Sequence, residues 1–221
     1  MFCEIGSYQI NCYMPADRTV TKVVYLHPAD GREKEAVWQL ISGQCAFITI
    51  EGFDWNRDMS PWYHGKVFTG GEDFAGKADE YLDRLCEKVI PEAESRFGIH
   101  PEKRYLAGYS LSGLFALYAL YRTELFDAAA SVSGSLWYEG FVDFIKKNEP
   151  LRRPERIYLS LGDKEASSAR GIMKQVLIRT REVEAVYTGS GISTILEMNP
   201  GNHFAQVPER IAKGINRLLQ D

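Results

Sequence analysis

The chain contains no run of about 18 apolar residues, so no membrane-spanning helix is expected. It has four cysteines, Cys3, Cys12, Cys45 and Cys86, with no C-x-x-C pair among them. That spacing excludes zinc-finger and dithiol motifs; reduced thiols in a cytoplasmic protein are expected, and a Cys3–Cys12 bridge would form only after export. The first residues, MFCEIG, carry Glu4 and no basic stretch before an apolar one, so no secretory signal is expected. Four histidines occur, none in an H-x-H or H-E-x-x-H pattern, which argues against a metal site. There is no P-loop, and TGSGIS at 188–193 lacks both the G-x-G-x-x-G spacing and a following helix. No cofactor is therefore expected. The net charge of -4 and the lack of a basic stripe give no attraction to nucleic acid or to an anionic membrane. No repeat, low-complexity tract or long linker divides the chain, so residues 1–221 read as one domain.

What is present is an ordinary globular composition, 45% hydrophobic and 25% charged, in a chain long enough for a substantial core. Residues 7–14 alternate loosely, as an edge strand or a hairpin arm would. The β-branched and apolar runs 21–27 and 45–50 read as buried strands, and 104–108, 126–133, 156–161 and 193–198 as further strands. Helical spacing falls between them: 33–42, with Ala36, Val37, Leu40 and Ile41 on its apolar side; 74–97, ended or kinked in its first part by Pro91; 134–147 in part; 169–185; and 208–219, with proline at its start. Strands alternating with helices call for an α/β fold with a mostly parallel sheet covered on both faces. Little chain is left over for a separate lid domain. Ligands of such sheets bind beyond the carboxyl ends of the strands, so the loops after Leu26, Ile50, Ala107, Ser133, Leu161 and Met198 should share one rim.

On that rim lies GYSLSG at 108–113, between a short apolar run and a nearly uncharged dozen residues. A serine on a sharp strand-to-helix turn stands clear of the sheet with its hydroxyl exposed, as in a nucleophile elbow. The usual G-x-S-x-G spacing is altered: Ser112 holds the last position and Gly113 follows it. The alternative is a serine-rich turn capping a core helix. A serine nucleophile needs a base, and the base an orienting acid. His203, in PGNHF directly after the last strand, reaches the same rim. His27 precedes Pro28 and is better suited to shaping a loop, while His64 and His100 lie in a loop and a connection. Two carboxylates follow the strand 156–161, Asp163 and Glu165, and either could equally be a solvated helix-start charge. The order Ser, acid, His is that of the α/β-hydrolases. An oxyanion would need N–H donors: Leu111 after the nucleophile, and Ala29 in the loop after 21–27, since Pro28 has no N–H. Trp55, Trp62, Trp137 and Tyr138 are candidates for substrate walls, or equally for packing under long loops.

The segments YLHPAD, DWNRDMSPW, YLAGYSLSGLFALYA, SVSGSLWY, SLGDKE and NPGNHF resemble the esterase family of the α/β-hydrolase superfamily that contains esterase D, feruloyl and enterochelin-type esterases and mycolyltransferases. The resemblance spans residues 20–215, with the elbow and NPGNHF its most specific parts. It implies the α/β-hydrolase fold, Ser110 as nucleophile and His203 as base. In that superfamily the acid commonly stands three residues after a strand-end glycine; from Gly162 this favours Glu165 over Asp163, which in its turn would bond nearby backbone N–H groups instead. The expected activity is hydrolysis of a small-molecule carboxylic ester through an acyl-enzyme. The rivals are an acyltransferase using the same intermediate and a hydrolase-fold binding protein without activity. A homo-oligomer is left open.

Overall fold

The apolar runs of the sequence become strands of one sheet, with the run 193–198 at one edge and the others inside. The computed structural model of the protein describes residues 1–16 and 20–220. In chain order its elements are β1 (Phe2–Ile5), β2 (Tyr8–Tyr13), β3 (Lys22–His27), α1 (Glu33–Leu40), β4 (Ala46–Glu51), α2 (Trp55–Asp58), β5 (Tyr63–His64), β6 (Phe74–Ala75), α3 (Ala78–Arg84), a π-helical turn (Leu85–Val89), α4 (Ile90–Phe97), β7 (Lys103–Tyr109), α5 (Leu111–Ala119), β8 (Ala128–Val132), α6 (Phe141–Lys147), β9 (Arg156–Gly162), α7 (Glu165–Ser168), a 3-10 turn (Gly171–Gln175), α8 (Val176–Gly189), β10 (Thr194–Asn199) and α9 (Val207–Leu219). Among the described residues the main sheet has eight strands in the order β1-β2-β4-β3-β7-β8-β9-β10, and β5 pairs with β6 apart from it. From β4 to β10 all neighbours are parallel. The hairpin β1–β2 adds to the β4 edge by antiparallel pairing.

Alternation along each inner strand feeds two cores. Tyr25, Ile48, Leu106, Ala129 and Leu159 belong to one, and Val24, Phe47, Tyr105, Ala107 and Tyr158 to the other. The first core is closed by residues of α3, α4, α5, α6 and α8, the second by α1 and α9. Helix α5 is buried along its whole length, which is why its sequence carries no charge. Each of Leu114, Phe115 and Leu117 contributes about 1.5–3 kcal/mol by leaving water. The chain runs outward from β3 through α1 to β4, then returns to place β7 on the other side of β3. This reversal opens a crevice at the carboxyl ends of β3 and β7, where Pro28 and Ser110 follow.

Three expectations are corrected. The helical stretch starts at Ala78, because Phe74 and Ala75 pair with His64 and Tyr63 as a short ladder. It is also not broken at Pro91. The π turn widens the helix just before the proline, with Ile90 N–H donating to the Leu85 carbonyl, so the turn accommodates a residue that has no N–H to donate. In α1 only Val37 is fully buried, and Leu40 lies exposed instead of on the core side.

Candidate active site

Ser110 is the single residue between β7 and α5, with φ 57° and ψ −120°. A non-glycine residue at positive φ is held there against a cost of about 1–3 kcal/mol, and the surroundings show how. Ser110 N–H donates to the Val132 carbonyl at 3.1 Å, and its own carbonyl accepts from Ser135 N–H at 2.9 Å. A side chain on Gly108 would place its Cβ 2.1 Å from the Ser112 carbonyl oxygen, so the strand passes under the helix start only as glycine. Ser112, where the usual motif has glycine, is built into the turn. Its Oγ accepts from Tyr109 N–H at 2.9 Å and lies 3.0 Å from the His27 carbonyl, to which it can donate. Ser112→Ala is therefore expected to lower stability by about 1–3 kcal/mol, because a buried N–H loses its partner, while most ester turnover is kept. Thermal melting together with an ester assay checks this; an unchanged melting temperature with abolished turnover would give Ser112 a chemical role.

His203 reaches Ser110 from the turn after β10. Its Nε2 lies 3.0 Å from Ser110 Oγ and its Nδ1 2.8 Å from Glu165 Oε2. A carboxylate can only accept, so Nδ1 carries the proton and Nε2 is left to accept from the serine. Tyr109 OH donates to the His203 carbonyl. Of the two carboxylates after β9, Glu165 meets the ring. Asp163 is exposed, and its Oδ1 accepts from Gly201 N–H at 2.8 Å, which ties down the turn that carries His203. Glu165 is 4% exposed. Burial pushes its carboxyl up, but hydrogen bonds from His203, Ser133 and Gly162 N–H outweigh this and hold it below its ordinary value.

The other histidines are placed elsewhere. His27 is buried with its ring edge-on to Phe53, Tyr81 and Phe115. Burial lowers its pKa to about 3, so it is neutral and structural. His64 packs on Tyr138 and Phe74, and His100 is exposed.

Leu111 N–H opens α5 and has no partner within the helix, leaving it available beside Ser110. Ala29 differs from expectation: its N–H donates to Glu33 Oε1 at 3.0 Å. A ligand oxygen would have to displace that carboxylate, whose pKa burial pushes up. The aromatic walls are also corrected in part. Tyr138 is 2% exposed with its hydroxyl on the Trp62 carbonyl, so it belongs to the core. Trp62 is half-buried among Tyr118, Tyr138 and Phe144, with Nε1 on the Glu139 carbonyl. Trp55 and Trp137 are half-buried against Phe53 and Phe74 respectively. Two aromatics flank the His203 ring, Tyr109 and Phe204, and of these Phe204 is 83% exposed and edge-on to it.

Sequence reasoning missed Ser133, Ser135 and Arg210. Ser133, at φ 48°, donates to Glu165 Oε1 at 2.7 Å, and Ser135 Oγ lies 3.4 Å from Ser110 Oγ. Arg210 is buried against Glu165. The signals were the S-x-S-G-S spacing that runs out of the end of β8 and a charge on the buried arc of a helix. Among the described residues no group of three or more His, Cys, Asp or Glu could hold a metal, and no helix is long and apolar enough to cross a membrane.

A family model described as "Putative esterase" matches residues 6–203. The uncharacterized protein YbbA of Bacillus subtilis (strain 168) is 27% identical over 143 residues, covering 63% of this chain and 57% of that protein, so the match spans little more than half of the relative's length. Among solved structures, the siderophore hydrolase EstA from Aspergillus nidulans superposes with a TM-score of 0.77 at 20% identity, covering 96% of this chain and 89% of that one. An IroE-like serine hydrolase from Shewanella oneidensis gives a TM-score of 0.77 at 18% identity, covering 96% and 75%. At these identities the two structures establish the fold, which is that of the α/β-hydrolases.

Proposed function

The chain belongs to that esterase family, and from this premise we propose that it hydrolyses carboxylic esters through an acyl-enzyme on Ser110. The observation that carries the proposal is the unbroken relay from Glu165 through the two ring nitrogens of His203 to Ser110, at 2.8 and 3.0 Å. Ser110 Oγ attacks the acyl carbon as its proton passes to His203 Nε2. Glu165 keeps the ring in the required tautomer and stabilises the imidazolium that forms. Leu111 N–H faces the developing oxyanion, with Ala29 N–H joining it once Glu33 is displaced. Collapse of the tetrahedral intermediate expels the alkoxide, which takes the proton from Nε2 and leaves as the alcohol. Water, deprotonated by the same nitrogen, then attacks the ester of Ser110, and the second collapse returns the proton to Oγ and releases the acid.

The four cysteines form no disulfide, which supports placing the protein in a reducing, cytoplasmic compartment. The exposed Phe204 ring beside His203 favours esters with an apolar or aromatic group at that position. Siderophore and feruloyl esters therefore belong in a substrate panel with p-nitrophenyl acetate and butyrate. Product analysis with and without an added alcohol tests hydrolysis against acyl transfer. Free acid should remain the main product at millimolar alcohol; a new ester as the main product would make the protein an acyltransferase. No turnover of any activated ester would overturn the proposal.

A further inference from the structure

We propose that Arg210 is a positioning residue of this site, acting on His203 through Glu165. Its guanidinium, 2% exposed, donates from Nη1 to Glu165 Oε1 at 3.2 Å and to Ser133 Oγ at 3.3 Å, and from Nη2 to the Pro200 carbonyl at 2.7 Å. The same Oε1 accepts from Gly162 N–H and from Ser133 Oγ, each at 2.7 Å. Three donors thus occupy Oε1 and leave Oε2 to the imidazole. The bond to Pro200 fixes the start of the turn that carries His203, so one side chain sets both the acid and the histidine loop. A Cβ on Gly162 would lie 2.3 Å from the Gly201 carbonyl oxygen and 3.0 Å from both Nη atoms, so glycine there leaves room for the His203 turn and the guanidinium together.

The fold alone does not call for an arginine. Around it α9 buries Ile211, Ala212, Ile215 and Leu218, and an apolar residue of similar volume would fill a buried position at no greater cost than an ion pair. The charge has an electrostatic consequence. The groups facing His203 are Glu165 and the hydroxyls of Ser110 and Tyr109. Those facing Arg210 are Glu165, Ser133, the Pro200 carbonyl and the Tyr109 hydroxyl. Asp163 is turned to Gly201 N–H, and Lys164 is exposed. Arg210 therefore offsets the one carboxylate that contacts the imidazole. Remove its charge, and the full negative charge of Glu165 favours the imidazolium. A protonated His203 cannot take the serine proton, so the pH at which activity falls on acidification must rise.

The inference rests on the triad reading above, and the two fail differently: if the triad is wrong, Ser110→Ala or His203→Gln keeps wild-type turnover, whatever Arg210 does. The pH dependence of kcat/KM on p-nitrophenyl butyrate, followed at the isosbestic wavelength of p-nitrophenol, reads Arg210 itself. In Arg210→Gln the acid limb should move up by about one pH unit, a tenfold change in proton affinity. Arg210→Lys keeps the charge but loses the fork, and should lower kcat with the limb where the wild type has it. A lower rate in Arg210→Gln with an unmoved limb would overturn the inference and leave Arg210 a packing residue. Should Arg210→Gln fail to fold, Glu165→Gln with Arg210→Gln leaves no unpaired buried charge and decides the matter. If Arg210 acts through Glu165, the double variant retains at least the residual turnover of Glu165→Gln alone. A further tenfold loss in the double variant would contradict the inference.

Discussion

Ser110→Ala should reduce ester turnover by about 10⁵–10⁶-fold, the scale on which loss of a serine nucleophile is felt when base and acid remain. The fold should survive. Among the described residues the hydroxyl bonds only to His203 Nε2 and, weakly, to Ser135 Oγ at 3.4 Å, so its loss removes no backbone partner. The backbone bonds that hold the residue at positive φ, to Val132 and from Ser135, are unaffected by the side chain. Stability should therefore stay within about 1 kcal/mol of wild type. The comparison needs p-nitrophenyl butyrate turnover and a thermal melt on the same preparation. A well-folded variant with near wild-type turnover would remove Ser110 from the mechanism.

The second large effect separates the two carboxylates. Glu165→Gln should lower kcat by up to ~10⁴-fold, since an amide can donate to Nδ1 and hold the ring in the wrong tautomer. It should also cost about 3–5 kcal/mol of stability, because Arg210 is left buried without its counter-charge. Kinetics must therefore be measured well below the variant's melting temperature. The pH dependence of stability follows from the same group. The folded-state pKa of Glu165 is held below its ordinary value, so its contribution is present above the unfolded value and is lost as pH falls through the folded one. Glu165→Gln should lack that acid-side component, visible in melts between pH 6 and pH 3. Asp163→Asn should change turnover only a few-fold, since the amide oxygen can still accept from Gly201 N–H. The reverse pattern, a large loss at Asp163 with a nearly normal Glu165→Gln, would reassign the acid. Small losses in both would mean that His203 works with Ser110 as a dyad.

The central sheet was legible because burial on both faces writes apolar runs such as KVVYLH and RYLAGY directly into the chain. Ser110 and His203 were legible for a related reason: a sharp turn between strand and helix, and a histidine after the last strand, are local patterns. Local pattern fails where partners are distant. β1 is only half-covered and owes its pairing to β2, so FCEI carries no clear alternation. Phe74 and Ala75 look helical until Tyr63 and His64 come alongside. Tyr138 reads as a candidate substrate wall because nothing nearby in sequence shows that its hydroxyl meets the Trp62 carbonyl. Ala29 has the right place for an oxyanion donor, but Glu33 reaches back to its N–H across the start of α1. Arg210 sits in a helix whose neighbouring positions face the core; its charge makes sense only once Glu165, far away in sequence, lies against it.

Covalent labelling with a fluorophosphonate, followed by peptide mapping, bears directly on whether Ser110 is the nucleophile. The reagent reacts with a serine only where a base takes its proton and donors hold its P=O oxygen, which is the arrangement described for Ser110, His203 and Leu111 N–H. One adduct is expected, on Ser110, formed in step with loss of ester turnover and absent in His203→Gln. An adduct on another serine, or continued turnover by a protein that the reagent never labels, would contradict that assignment.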